Sequence, residues 1–108
     1  MNKGDIVLVP FPFTDLTGNK YRPALILIES EEEVTVCFIT TQMKWKSEYD
    51  ISVNPTELNG LKKPSLIRLS KLATIDKKLI IGRLGVLDTH YADLLNTNLI
   101  RLFKLEQK

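Results

Sequence analysis

The sequence predicts a small α+β protein in which short strands form an antiparallel barrel and one helix at the carboxyl end covers it. Three observations lead to this class. Short apolar or β-branched segments recur between residues 5 and 84, each bounded by turn residues. After these segments, apolar residues recur at the spacing of an amphipathic helix. A length of 108 residues, with 44% hydrophobic and 26% charged residues, suits a single globular domain over residues 1–108.

The predicted strands are joined by polar connections, the longest of which covers residues 10–20. The run Ala24–Ile28 is apolar throughout, which is typical of a central strand buried on both faces. Glutamates at 29 and 31–33 predict an exposed turn that joins this strand to the next as a hairpin. Gly82 predicts a bulge in the last strand. The strands are expected at residues 5–9, 24–28, 34–39, 51–53, 66–69, 72–75 and 79–84.

The last segment has the spacing of an amphipathic helix. Asp88 is a suitable N-cap, and Asp93 adds an acidic side chain near the first turn. His90 lies in that first turn, where a solvent-facing or capping role is expected rather than a catalytic one. The residues predicted to face the core are Tyr91, Leu94, Leu95, Leu99, Leu102 and Phe103.

Several functional classes are disfavoured by composition. Cys37 is the only cysteine and lies between apolar residues of a predicted strand, so we expect a buried, unreactive thiol and a reducing, cytoplasmic location. The sequence has no apolar run of the roughly 20 residues that cross a bilayer, and no signal peptide is expected. It has neither a metal-ligand cluster nor a glycine-rich phosphate loop, so no metal and no cofactor are expected.

Positive charge is concentrated in the later middle of the chain, although the formal net charge is only +2. If these side chains share one face, they would attract a polyanion without regard to its sequence. The alternative is a solvated, lysine-rich surface. The residues concerned are Lys62, Lys63, Arg68, Lys71, Lys77, Lys78 and Arg83.

Arg22 is the most informative single residue because it directly precedes Pro23 and the apolar run Ala24–Ile28. An arginine at the end of a buried strand is costly to desolvate unless it meets an anion. The predicted hairpin would bring Thr40 and Thr41 to the same end of the sheet as Arg22. The alternative is a surface salt bridge between Arg22 and one of the glutamates.

Four segments of the chain are informative when they are taken together. They are GDIVLV at 4–9, YRPALIL at 21–27, FITTQ at 38–42, and GLKKPSLIR at 60–68 followed by KLATID at 71–76. In order and spacing these segments resemble the MazF/PemK family of toxins from bacterial type II toxin–antitoxin systems, and the segment at residues 10–16 is similar to a variant within the family.

This resemblance implies a small SH3-like antiparallel β-barrel of the CcdB/MazF type with a C-terminal helix. It also implies a cytoplasmic homodimer that cleaves single-stranded RNA, often messenger RNA, at short sequences without a metal. Attack by the 2′-hydroxyl would give a 2′,3′-cyclic phosphate and a free 5′-hydroxyl. The implied partner is a cognate antitoxin protein, which inactivates the toxin and binds DNA with it.

Roles for individual residues are likewise implied by the resemblance. Arg22 and Thr40 match the catalytic positions, whereas the implied RNA-binding residues are Ser65, Arg68, Thr41, Gln42 and Trp45. Some relatives have an aspartate where this chain has Ser70, or a histidine in the first loop, so the general acid and base stay unassigned. Trp45 and Tyr49 are candidates for base stacking, with loop anchoring as the alternative.

Two other functions stay open at this point. One is a CcdB-like toxin that poisons DNA gyrase, although residues 102–108 do not resemble the helix used by such toxins. The other is a non-catalytic SH3-like module that binds RNA or protein. The pairing of Arg22 with Thr40 favours the ribonuclease.

Overall fold

A computed structural model describes residues 1–10 and 20–106 of the chain. The main elements within these residues are β1 (Asp5–Pro10), β2 (Tyr21–Glu29), β3 (Glu33–Thr40), β4 (Ile51–Val53), β5 (Ser65–Asp76), β6 (Gly82–Val86) and α1 (Ala92–Phe103). The six strands form one antiparallel sheet with the order β4-β5-β3-β2-β1-β6. This sheet curls into a half-barrel and is followed by the helix, which confirms the predicted class.

The hairpin of β2 and β3 forms the centre of the sheet, as predicted. Ala24 and Ile26 pack into one apolar cluster, whereas Leu25 between them packs into another, so β2 is buried on both faces. The acidic turn is exposed, and the backbone N–H of Ser30 donates to the carbonyl of Glu33 (2.9 Å). The predicted connection at residues 10–20 lies largely outside the described residues.

Strand β5 corrects the prediction of two separate strands at 66–69 and 72–75. Cys37 of β3 pairs with Leu72, whereas the next residue, Phe38, pairs with Arg68. Residues 69–71 therefore have no partner on β3 and form a bulge within one long strand. Ser70 and Lys71 lie in this bulge, and these two polar residues between apolar runs caused the sequence to predict two strands where there is one.

The β6 strand begins later than predicted, since residues 77–79 form a 3-10 turn. Its bulge lies at Leu84 and not at Gly82, because Ile6 pairs with Gly85 and Val7 pairs with Arg83. Gly85 is required there, since a Cβ atom would collide with the backbone oxygen of Leu58.

Helix α1 begins four residues after the predicted cap. Asp88 occupies the N-cap position of a 3-10 turn at Thr89–Tyr91, and its side chain makes no capping hydrogen bond there. Its carboxylate instead accepts hydrogen bonds from the hydroxyl of Thr56 (2.8 Å) and the amide of Asn59 (3.0 Å). These bonds tie the connection after β4 to the start of the helical segment.

The predicted core-facing set of the helical segment is confirmed at Tyr91, Leu95, Leu99 and Leu102, which pack against the core, and is wrong at two other residues. Leu95 is buried, but Leu94 and Phe103 are 45% and 52% exposed. Asn98 takes a buried position and donates to the backbone carbonyl of Tyr49 (3.2 Å). Within residues 1–10 and 20–106, no helix is long and apolar enough to cross a membrane.

The two adjacent leucines of α1 provide a matched test of this helix orientation. Leu95→Ala should lower the free energy of unfolding by about 2–5 kcal/mol, because it leaves a cavity against the core. Leu94→Ala should change it by less than about 0.5 kcal/mol. Urea unfolding of both variants checks this, and similar losses for the two would contradict the described face.

Candidate functional site

A pocket of about 330 Å³ opens where β2 begins and β3 ends. Its wall combines two guanidinium groups, one ammonium group, one hydroxyl and two aromatic rings. The lining residues are Arg22, Phe38, Ile39, Thr40, Gln42, Trp45, Arg68 and Lys71.

Strand register brings the two arginines to this pocket. Phe38 pairs with Ala24 on one side and with Arg68 on the other. Continuing the β2–β3 ladder by two residues places Arg22 opposite Thr40, as expected from the hairpin. Because side chains alternate along a strand, Phe38 and Thr40 lie on the same face of the sheet.

The bulge of β5 adds Lys71 to the pocket. Arg68 lies immediately before the unpaired residues 69–71, and both its side chain and that of Lys71 line the cavity. In the sequence, Lys71 appeared only as one member of a basic stretch. The irregular register that brings it beside Arg68 has no local sequence signal.

Asp50 is the site residue that sequence reasoning missed. Its side chain is fully buried, and Oδ2 accepts hydrogen bonds from Nε of Arg68 (3.2 Å) and from the backbone N–H of Ser47 (3.0 Å). Asp50 ends a polar loop and is 18 positions from its partner in the chain. The sequence gives no indication of this pairing.

The loop after β3 forms the outer wall of the pocket. The backbone N–H of Gln42 donates to Oγ1 of Thr40 (3.1 Å), and a 3-10 turn follows at Met43–Trp45. Trp45 is 51% exposed beside the cavity. Tyr49 instead packs against the core, with the Arg101 guanidinium 5.2 Å from its ring centroid, which fits the loop-anchor alternative.

Ser65 and Thr41 lie at a second pocket, of about 310 Å³, which also has exposed Lys62 and Lys63 in its wall. Ser65 is 2% exposed, and its hydroxyl donates to the carbonyl of Lys63 (2.8 Å). The structure therefore does not bring all the predicted site residues into one cavity. Thr40 and Thr41, which are adjacent in the chain, line one pocket each.

The basic stretch does not form one continuous face. Lys77 pairs with Glu29 (3.0 Å), and Arg83 pairs with Asp5 (3.6 Å). The hydrogen bond from Lys77 is the main cause that lowers the pKa of Glu29. Of the other basic residues in this stretch, Arg68 and Lys71 line the first pocket and Lys62 and Lys63 line the second, whereas Lys78 lines neither.

The other candidate reactive groups lie elsewhere. Cys37 is fully buried, and desolvation raises the pKa of its thiol to about 12, which confirms a structural role. His90 is exposed, and its ring centroid lies 4.1 Å from that of Tyr91. In the described part of the chain, no three His, Cys, Asp or Glu residues cluster as a metal site would require.

Comparison with protein families gives a match over residues 2–103 to the PemK-like, MazF-like toxins of type II toxin–antitoxin systems. This match covers nearly the whole chain. The chain belongs to this toxin family. Comparison with curated protein sequences gave no significant match.

Solved structures show that the family fold is shared. The Mycobacterium tuberculosis toxin MazF-mt6 superposes with a TM-score of 0.76 at 24% identity, covering 95% of this chain and 99% of that one. A mycobacterial endoribonuclease in complex with its cognate antitoxin also gives 0.76, at 17% identity, covering 100% and 99%. A further mycobacterial endoribonuclease gives 0.72, at 18% identity, covering 100% and 98%.

The raised pKa of Cys37 predicts a thiol that does not react in the native toxin. At about pH 8 the native protein should resist iodoacetamide, because the thiolate is strongly disfavoured and the side chain is inaccessible. Mass spectrometry should detect labelling of this single cysteine once guanidinium chloride unfolds the chain. Labelling of the native protein at the unfolded rate would contradict the described burial.

Proposed function

We propose that this toxin is a metal-independent endoribonuclease that cleaves single-stranded RNA, in the cell messenger RNA, at short sequences. The observation that carries the proposal is the first pocket, whose wall contains Arg22, Arg68 and Lys71 together with Thr40 and an exposed tryptophan. Cationic groups suit a phosphodiester, and an exposed aromatic ring suits an unpaired base. The two similar mycobacterial endoribonucleases support the same activity.

Cleavage proceeds by attack of a ribose 2′-hydroxyl oxygen on the adjacent phosphorus. The bond from phosphorus to the 5′-oxygen breaks, and that oxygen leaves with a proton. The products are a 2′,3′-cyclic phosphate and a 5′-hydroxyl. Negative charge grows on the non-bridging oxygens in the transition state, and a fixed guanidinium such as that of Arg22 stabilises it with paired hydrogen bonds.

Thr40 is suited to hold the phosphate in line for this attack. Its Oγ1 accepts a hydrogen bond from the backbone N–H of Gln42, so its own hydroxyl hydrogen remains available to a phosphate oxygen. Arginine stays protonated at neutral pH and is a poor general base. We therefore assign charge stabilisation to Arg22 and leave the proton-transfer groups unassigned.

We assign base recognition to the loop after β3, and contacts with the flanking nucleotides to the second pocket. Stacking of one base on Trp45 would contribute about 1–3 kcal/mol, and the Gln42 amide offers both a donor and an acceptor to a base edge. Since Thr40 and Thr41 connect the pockets, an RNA strand crossing both would meet Lys62 and Lys63 with its flanking phosphates. Ser65 contributes by holding the loop of these lysines.

The proposed cellular assembly is a cytoplasmic homodimer of single-domain chains, inhibited by a cognate antitoxin that covers the RNA-binding pocket. The support for the antitoxin is family membership together with the similar mycobacterial complex. A chain of 108 residues buries a modest share of its surface, which favours dimerisation.

The decisive variant is Arg22→Ala, assayed on a long single-stranded RNA in the presence of EDTA. It should reduce the cleavage rate by a hundredfold or more, about 3–4 kcal/mol, because one preorganised donor to the transition state is lost. Arg83→Ala is the matched control, since it removes an exposed guanidinium of β6 that pairs with Asp5 (3.6 Å) and lines neither pocket. End mapping should show cyclic phosphates at discrete sites.

Other outcomes would contradict the proposal in distinguishable ways. If wild-type cleavage is lost in EDTA, the metal-independent mechanism is excluded, whereas nuclease activity itself is not. Intact RNA together with inhibition of DNA gyrase would indicate a CcdB-like poison. RNA binding without cleavage would indicate a non-catalytic module.

A further inference from the structure

We propose that Asp50 is a positioning residue that holds the guanidinium of Arg68 at the pocket wall for contact with the RNA phosphate. This inference rests on the proposed ribonuclease function. It starts from an unusual arrangement, in which the fully buried carboxylate of Asp50 lies behind a partly exposed cation that lines the cavity.

The contacts of Asp50 are concentrated on one oxygen. Oδ2 accepts from Nε of Arg68 (3.2 Å) and from the backbone N–H of Ser47 (3.0 Å). Oδ1 is the only buried side-chain N or O atom without a hydrogen-bond partner among residues 1–10 and 20–106. A buried carboxylate with so few donors depends on the charge of Arg68 for its stability.

The contact with Asp50 uses Nε of Arg68 and leaves the two terminal nitrogens of the guanidinium available. Arg68 bonds to Asp50 through Nε, and its two terminal nitrogens have no hydrogen-bond partner within the described residues. The side chain is 18% exposed and lines the first pocket. Five N–H donors belong to a guanidinium, so the four terminal hydrogens remain for an anion while the Nε contact limits the side-chain rotamers.

Asp50 also fixes the end of the loop that carries Trp45, through its backbone as well as through its carboxylate. The backbone N–H of Asp50 donates to the carbonyl of Ser47 (3.1 Å), which closes the end of the loop that carries Trp45. The next residue, Ile51, pairs with Ile67 of β5, which precedes Arg68. Asp50 thereby connects the loop that carries Trp45 to the strand that carries Arg68. A hydrogen-bond donor that is held in position before the reaction stabilises the transition state more than a mobile donor does.

A purely structural role for the pair makes a different prediction. If Arg68 only neutralises Asp50, then removing both charges together would leave RNA cleavage unchanged. If Arg68 acts on RNA without help, Asp50 could be neutralised with no loss of rate. If Asp50 acts through Arg68, then neutralising Asp50 should lower the rate and removing Arg68 afterwards should add little.

The experiment compares single-turnover cleavage by wild type, Asp50→Asn, Asp50→Asn/Arg68→Gln and the control Glu48→Gln. Asparagine can retain both hydrogen bonds through its amide oxygen, so Asp50→Asn removes mainly the charge. No variant leaves a buried carboxylate unpaired. The control neutralises a carboxylate of the same loop that is 61% exposed and belongs to no pocket wall described above.

Asp50→Asn should cleave about ten- to a hundredfold more slowly than wild type, because a displaced donor stabilises the transition state less. The double variant should be slower than Asp50→Asn by no more than about threefold, and Glu48→Gln should match wild type. Wild-type rates for Asp50→Asn, or a further loss as large as the first in the double variant, would overturn this inference alone. A wild-type protein that cleaves no RNA would contradict the proposed function and this inference together.

A measurement on the unaltered protein covers the case in which Asp50→Asn fails to fold. In ¹⁵N NMR spectra, the Nε–H resonance of Arg68 should be protected from solvent exchange, because it is bonded to a buried carboxylate. Addition of an oligonucleotide with a 2′-deoxy sugar at the cleavage site should shift the resonances of the terminal nitrogens of Arg68. The hydrogen bond from Nε–H to Asp50 should persist in this complex. A rapidly exchanging Nε–H, or terminal nitrogens unaffected by the bound oligonucleotide, would refute the positioning role.

Discussion

The β3 strand forms hydrogen bonds with β2 on one side and β5 on the other, and the first pocket depends on the register of both ladders. Phe38 pairs with Ala24 and with Arg68, so the end of β3 has an arginine-bearing strand on each side. A slip of one residue in either ladder would turn the corresponding arginine to the other face of the sheet. The pocket chemistry is therefore a consequence of apolar packing that fixes β2 and β3.

Burial determines how the charged groups of this fold are used. Arg22 is exposed at the start of β2, whereas Arg68 is largely covered and neutralised from behind by Asp50. Lys77 and Arg83, from the same basic stretch, form ion pairs at other edges of the sheet. The net charge therefore does not indicate this site, because strand geometry brings the cations that line it into one pocket with Thr40.

Much of the fold follows from local patterns, and the exceptions have identifiable causes. The central strand and its hairpin were predicted because a β-branched, apolar run between turn residues has few alternatives. The helix face was predicted correctly at Tyr91, Leu95, Leu99 and Leu102 and wrongly at Leu94 and Phe103. Leu94 and Leu95 both fit the helical period, and only packing distinguishes them. At the site, the proximity of Arg22 and Thr40 was predictable from the hairpin that joins their strands. The contact of Asp50 with Arg68 was not predictable, because a bulge and a long loop determine it.

In the proposed mechanism, the first pocket holds the phosphate at which RNA is cleaved. The decisive experiment is a crystal structure with an oligonucleotide that carries a 2′-deoxy sugar at the cleavage site. A backbone phosphate should lie within about 3 Å of the guanidinium nitrogens of Arg22 and Arg68, with an adjacent base stacked on Trp45. An oligonucleotide bound with no phosphate in contact with either arginine would contradict this mechanism.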